Sequence, residues 1–242
     1  MWMILRFNRP MYLRAASMSG VGLWLAWQFD GLARLGILLA VASTVFWMAS
    51  SLATSWWTYD RARIFELGWL DEVLQRPVGH WLNLHAGLDE IDPVLLTLYP
   101  GSRGETMDIF DPNEVTERCL QHARQLLGQG LAKQTNWRYL PAANQSYDTV
   151  FLVLAAREFR RREARQRLFI EIQRVLRDTG RVVVVEHLRD PFTFAVFGPG
   201  AFHFLSLRRW IESTKPAGLV LLSERRITPF VHAFTFGKQC AL

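Results

Sequence analysis

The chain has 242 residues, 50% of them hydrophobic, and a formal net charge of +6. That length allows one large domain or an ordinary domain with an appendage, and the crowding of apolar residues before residue 60 favours the appendage. Cys119 and Cys240 are too few for a disulfide framework and too isolated for a zinc site, so a reducing compartment is expected. No lysine-rich run is present and the arginines are scattered among acids, which disfavours nucleic acid and suits a face turned toward anionic lipid.

Residues 11–29 carry one charge, Arg14, and residues 35–57 carry none. Each stretch can supply the roughly 20 apolar residues that cross a bilayer, so two spans joined by 30–34 form an expected hairpin, with 1–63 as a membrane anchor. Trp24, Trp27, Trp47, Trp56, Trp57 and Tyr59 gather mainly toward the stretch ends, where amphipathic rings favour the headgroup level. Arg6, Arg9 and Arg14 flank the start, and Arg61 and Arg63 follow the end. This excess of positive charge puts both flanks in the cytoplasm and the anchor in the cell (inner) membrane. The first stretch, with Ser17, Ser19, Gly20, Gly22 and Gln28, is only moderately apolar. One span with an interfacial partner, or a pair of buried soluble helices, therefore stays open. A second long apolar stretch, with no small-residue cleavage site before it, argues against a secretory signal.

Residues 64–74 are amphipathic and predict a connecting helix within a 64–77 linker, after which a domain spans 78–242. Short apolar runs at 81–84, 105–109, 149–154, 181–185, 219–222 and 233–236 read as strands. Polar amphipathic stretches at 113–127 and 163–177 read as helices covering them. The alternation predicts an α/β fold, a Rossmann-like doubly wound, mostly parallel sheet with helices on both faces. The strand at 182–185 is all valine and follows the turn residues 178–180. Such sheets bind ligands beyond the carboxyl ends of their strands, so the loops there are where chemistry is sought.

Two blocks carry a resemblance. LPAANQSYD (140–148) leads into TVFLV, and EIQRVLRDTG (171–180) leads into RVVVVEH (181–187). In order and spacing they are similar to the class I S-adenosylmethionine-dependent methyltransferases, in particular the ubiquinone and menaquinone biosynthesis branch. LRRW (207–210), Gly218 and PFVHAFTF (229–236) also resemble that family's closing elements, so the likeness covers about 78–238.

The resemblance implies S-adenosyl-L-methionine as cofactor. It places the family's glycine loop at WLNLHAGLDE (81–90), which keeps Gly87 but has Asn83 for the usual acid and His85 and Asp89 for the outer glycines. Absent side chains let backbone approach a ligand closely, so Gly87 stands where approach matters most. Asp89 or Glu90 is the candidate to compensate for the missing carboxylate. The family's ribose-binding acid maps to Asp108 in preference to Asp111, whose place before Pro112 suits a cap. Asn136 falls at the adenine-reading position, where its amide oxygen accepts a hydrogen bond or instead caps a loop.

Methyl transfer from a sulfonium depends chiefly on positioning, and a base is needed only if the acceptor must lose a proton. Arg157 and Glu158 follow the fourth strand, Glu186 and His187 end the fifth, and His203 lies beyond. Glu186, His187 and His203 are the catalytic candidates, His187 as base or as a structural imidazole. Segment 192–204 is unusually aromatic and glycine-bearing, and reads as a lid or membrane-dipping loop over an apolar acceptor pocket. The expected partners are a lipophilic small-molecule acceptor, such as a quinone precursor or lipid, and membrane lipid. The competing expectation is a non-catalytic membrane scaffold whose glycine loop has degenerated.

Overall fold

The computed structural model describes residues 2–62, 64–74, 77–87, 91–115, 118–127 and 132–239. Two long helices begin it, α1 (Trp2–Gln28) and α2 (Gly31–Ser55), packed side by side across a short connection. The chain then continues from α2 into a π-helical turn, Trp56–Arg61. The helix beginning at Gly31 is the one among the described residues that is long and apolar enough to cross a membrane, and none of its most apolar stretch is buried. The other expected span does not reach that standard. Arg14 and the run of small and polar residues around it dilute α1, which also carries Pro10 inside it.

The connecting helix expected over 64–74 is broken. Ile64–Glu66 forms a 3-10 turn and α3 covers Leu70–Leu74, because Leu67 adopts a left-handed φ of 54° that no helix continues through.

Seven strands follow: β1 (His80–His85), β2 (Arg103–Asp108), β3 (Lys133–Gln134), β4 (Tyr147–Val153), β5 (Leu176–His187), β6 (Leu219–Arg226) and β7 (Val231–Lys238). Their order is β3-β2-β1-β4-β5-β7-β6. The first five in that order run parallel, and β7 is antiparallel to both its neighbours. The order reverses between β1 and β4, which sets the switch-point crevice at their carboxyl ends. Helices α4 (Asp92–Leu98), α5 (Arg118–Leu127), α6 (Arg162–Val175), α7 (Pro191–Phe197) and α8 (Leu207–Thr214) complete the domain.

The two-residue period of the strands sorts their side chains into two cores. Leu82, Leu84, Val150, Leu152, Val182 and Val184 pack with Leu168, Phe169 and Ile172 of α6 and Trp210 of α8. Trp81, Phe151, Val183 and Val185 pack instead with Leu70, Val73 and Leu74 of α3 and Leu95 of α4. The valine run is therefore buried on both faces, as a central parallel strand must be.

Some boundaries differ from expectation for local reasons. The turn at 178–180 lies inside β5: Tyr147 pairs with Leu176 but Thr149 with Arg181, so 177–180 bulge outward and the strand begins earlier. The helix expected from 113 is α5, starting at Arg118, because Asp111 first closes a turn by accepting from the Asn113 backbone N–H at 2.9 Å. Strand β3 and helix α4 had no sequence signal strong enough to be read.

Gly104 of β2 lies under the indole of Trp81, which is fully buried and donates its Nε1–H to Ser102 Oγ at 2.8 Å. A methyl group there collides with the ring. Gly104→Ala is expected to cost about 1–3 kcal/mol of stability, the usual penalty of overpacking, read as a lowered Tm in detergent; an unchanged Tm would show that the ring moves freely aside.

Candidate functional site

At the carboxyl edge His85 of β1 stands in register with Asp108 of β2, and the Ile109 N–H donates to the His85 carbonyl at 2.9 Å. Asn83, His85 and Asp108 are all buried, and Gly87 follows two residues after β1. The structure therefore brings together four of the expected cofactor residues. Asp89 and Glu90 lie outside the described residues.

Arg124 closes this crevice. One carboxylate oxygen of Asp108 accepts the Phe110 backbone N–H at 3.0 Å, and the other accepts Arg124 Nη2–H at 2.5 Å. Arg124 Nη1–H donates to the Gly87 carbonyl at 2.6 Å, and its guanidinium lies 4.2 Å from the Phe110 ring centroid. Leu120, one turn earlier on α5, presses on the same loop: a Cβ on Gly87 would stand 2.6 Å from Leu120 Cδ1. Neither residue stood out in the sequence. Their i, i+4 spacing, which puts both on one face of α5, was the available signal.

The donor chemistry of the crevice suits an adenosyl group: a buried carboxylate placed to accept from paired donors, beside a residue with no side chain. In this arrangement Arg124 supplies the donors that ribose hydroxyls would supply. Binding there requires the Arg124 guanidinium to be displaced.

Asn136 is placed differently. It is exposed, its Oδ1 accepts the Arg138 backbone N–H at 3.0 Å, and its carbonyl accepts from Tyr139 N–H, which is the loop-capping arrangement. Asp111 is likewise tied up, accepting from Trp137 Nε1–H at 2.9 Å as well as capping its turn.

A second cluster lies at the ends of β4 and β5. Glu186 is wholly buried. Its Oε1 accepts the Arg157 backbone N–H at 3.0 Å, while Oε2 lies 3.9 Å from Arg157 Nε. Arg157 Nε–H also donates to the buried Glu158 at 3.1 Å. Burial pushes the Glu186 carboxyl up to about 8 against the pull of Arg157, so it is protonated at neutral pH.

His187 has both ring nitrogens engaged. Nδ1–H donates to the Phe230 carbonyl at 3.1 Å, which fixes the tautomer and leaves Nε2 to accept the Tyr59 hydroxyl proton at 2.7 Å. Phe204 stacks on the ring at 4.9 Å, and Phe197 meets it edge-on. Burial, with Arg157 adding to it, pushes the imidazole down to about 3, so it stays neutral. As arranged, this histidine is a structural joint between β5 and the π-helical turn. Tyr59, expected at the membrane interface, is its partner. His203 is exposed and its Nδ1 accepts from Arg160 Nη1–H at 3.1 Å, so it is not drawn into this cluster.

No family model matches the chain, and no curated protein matches it. Solved structures do. The PH0226 protein from Pyrococcus horikoshii OT3 superposes with a TM-score of 0.54 at 14% identity, over 74% of this chain and 91% of its own. A SAM-dependent methyltransferase from Aquifex aeolicus gives 0.52 at 14%, over 73% and 92%. The neocarzinostatin-biosynthesis O-methyltransferase NcsB1, solved with S-adenosyl-L-homocysteine and 1,4-dihydroxy-2-naphthoic acid, gives 0.50 at 17%, over 78% and 59%. The fold is thus that of the S-adenosylmethionine-dependent methyltransferases, a mixed seven-stranded sheet covered by helices.

Removing Arg124 leaves a buried charge uncompensated, since the side chains of Arg124 and Asp108 are only 5% and 0% exposed. Arg124→Ala is expected to lower stability by about 3 kcal/mol or more in denaturant titrations, and Asp108→Asn in the same chain to restore part of it. Additive losses would mean the pair is not coupled.

Glu186 and His187 also set a pH dependence. The Glu186 carboxyl binds its proton more tightly folded than unfolded, so its contribution is lost as pH rises from its ordinary 4.5 through about 8. His187 binds its proton less tightly folded, so its contribution is lost as pH falls from 6.5 through about 3. The two slopes offset each other between 4.5 and 6.5 and leave a decline above 6.5. Glu186→Gln should abolish that decline in Tm measured between pH 6.5 and 8, a difference on the order of 2 kcal/mol at full slope. An equally steep decline in the variant would assign it to other groups.

Proposed function

We propose that this chain is a membrane-anchored methyltransferase that uses S-adenosyl-L-methionine to methylate a hydrophobic or amphipathic small molecule, such as a quinone precursor or lipid. The observation that carries the reading is the buried Asp108 beside Gly87 at the switch point of a methyltransferase-fold sheet. The anchor is α2, and the positive flanks favour a domain facing the cytoplasm from the cell (inner) membrane.

Once Arg124 has withdrawn, Asp108 holds the ribose hydroxyls and Gly87 lets the backbone approach, with Asn83 and His85 lining the crevice wall. The bound group contributes an electrophilic methyl on a sulfonium. The protein's part is to hold the acceptor in line and keep water out. Phe197, Phe204 and Phe230 supply an apolar wall around His187 suited to a flat, poorly soluble acceptor. Glu186, whose proton is held to about pH 8, is the group best placed to give or take one near neutrality.

The closed crevice favours a second reading, in which α5 fills it permanently and the domain is a membrane scaffold. Calorimetric titration of the detergent-solubilised full chain with S-adenosyl-L-homocysteine separates the two. The enzyme reading expects saturable binding, tightened by Arg124→Ala and weakened roughly 10–100-fold by Asp108→Asn, as the loss of a charged acceptor implies. Absence of binding by both the natural chain and Arg124→Ala would leave the scaffold.

A further inference from the structure

The contacts between α2 and the domain fix which way the sheet points. Ser50 Oγ–H donates to the Val196 carbonyl of α7 at 2.5 Å. Trp47 lies against Gly198, where a Cβ would stand 2.5 Å from its Cδ2. Further along, Tyr59 meets His187 at the carboxyl end of β5. Three contacts over one helix thus join the apolar segment to the carboxyl edge of the sheet.

Depth follows from helix geometry. Between Arg34 and Asp60 there is no charged residue, and Ser50 precedes Asp60 by about 15 Å of helix at roughly 1.5 Å per residue. If α2 crosses a bilayer whose apolar layer is about 30 Å thick, Val196 lies inside that layer, in the leaflet nearer the domain.

The composition of the element at that depth agrees. Helix α7 reads PFTFAVF and its one polar side chain, Thr193, is buried. Phe192, Phe194 and Phe202 are exposed to 60%, 43% and 66% of their surface, and the last two rings meet at 5.9 Å. Cations border them: Arg226 lies 5.2 Å from the Phe192 ring and Arg189 lies 5.9 Å from Phe202. Apolar rings outward with arginines at their rim is the pattern of an element sunk into an anionic leaflet, the rings among acyl chains and the guanidinium groups at the phosphates. A groove of about 460 Å³ runs between this element and α2, lined by Ala42, Ser43, Phe46, Trp47, Phe194 and Ala195.

We infer that α7 and residues 198–202 of the 3-10 segment that follows it are embedded among the acyl chains of an anionic bilayer, with His203 and Arg160 at its polar surface and the carboxyl edge of the sheet facing the membrane. The groove between α2 and α7 then opens to the acyl chains of the same leaflet. The inference rests on α2 crossing the bilayer and deepens the proposed function by placing the carboxyl edge of the sheet where a lipid-dissolved acceptor is concentrated.

The test uses the full chain with Cys119→Ser and Cys240→Ser, reconstituted in vesicles of phosphatidylcholine and phosphatidylglycerol. Single cysteines at Phe194, Phe202, Leu39 of α2 and Ala143, in the exposed turn before β4 at the opposite edge, carry an environment-sensitive fluorophore. Probes at 194, 202 and 39 should emit to the blue and be quenched by lipid bearing a nitroxide midway along its acyl chain, while the probe at 143 should be quenched by aqueous iodide. Quenching of 194 and 202 by iodide, with 39 still quenched by lipid, overturns the embedding but leaves the anchor. Iodide quenching at 39 as well removes the anchor and the inference with it. Matching circular dichroism across the four labelled chains shows that they fold alike, and none of these readouts depends on cofactor binding.

Discussion

A neutral imidazole at the carboxyl end of β5 holds this molecule in one arrangement. His187 takes a hydrogen bond from the Tyr59 hydroxyl on one side and gives one to the Phe230 carbonyl on the other, and the rings of Phe197 and Phe204 pack against the imidazole. Through it the π-helical turn that continues α2, the central sheet and the bend leading into β7 become one unit. Burial removes the option of charging this group, so the joint keeps its hydrogen-bond pattern across the physiological range. The orientation of the domain relative to α2 is set by this contact together with Ser50 on Val196 and Trp47 on Gly198.

The candidate site's polar side chains share the carboxyl edge of the sheet for a simple reason. The parallel strands are covered on both faces by helices, so valines 182–185 leave no polar surface along their length. Charged and hydrogen-bonding side chains gather where the strands end: Asp108 after β2, Glu158 after β4, Glu186 and His187 closing β5. Burying carboxylates there is costly, and each is relieved differently. Asp108 is matched by a guanidinium, whereas Glu186 keeps its proton. The first arrangement closes the crevice with an ion pair and the second buries a neutral carboxyl.

The family's resemblance and the physical reading of the crevice meet at Arg124. A carboxylate at the end of the second strand suits a ribose, yet here an arginine from α5 already satisfies it and also binds the Gly87 carbonyl. Any ligand using that carboxylate has to compete with this internal donor. Helix α5 in turn lies against α1, so the latch is in contact with the amino-terminal pair.

Sequence by itself determined six of the seven strands and the helices α5 and α6 between them, the apolar character of α2 and the placing of Asp108, Gly87, Glu186 and His187 at or just beyond strand ends. Those are properties of local pattern: a two-residue period, a run without charge, a motif of fixed spacing. It did not determine the break at Leu67, the bulge inside β5 or the late start of α5, because each depends on a backbone torsion or a strand register that neighbouring elements impose. Only the tertiary structure brought Arg124 onto Asp108 across 16 positions of chain, and Tyr59 onto His187 across 128. Such pairings have no sequence period to announce them, since they arise when separately folded elements are packed together.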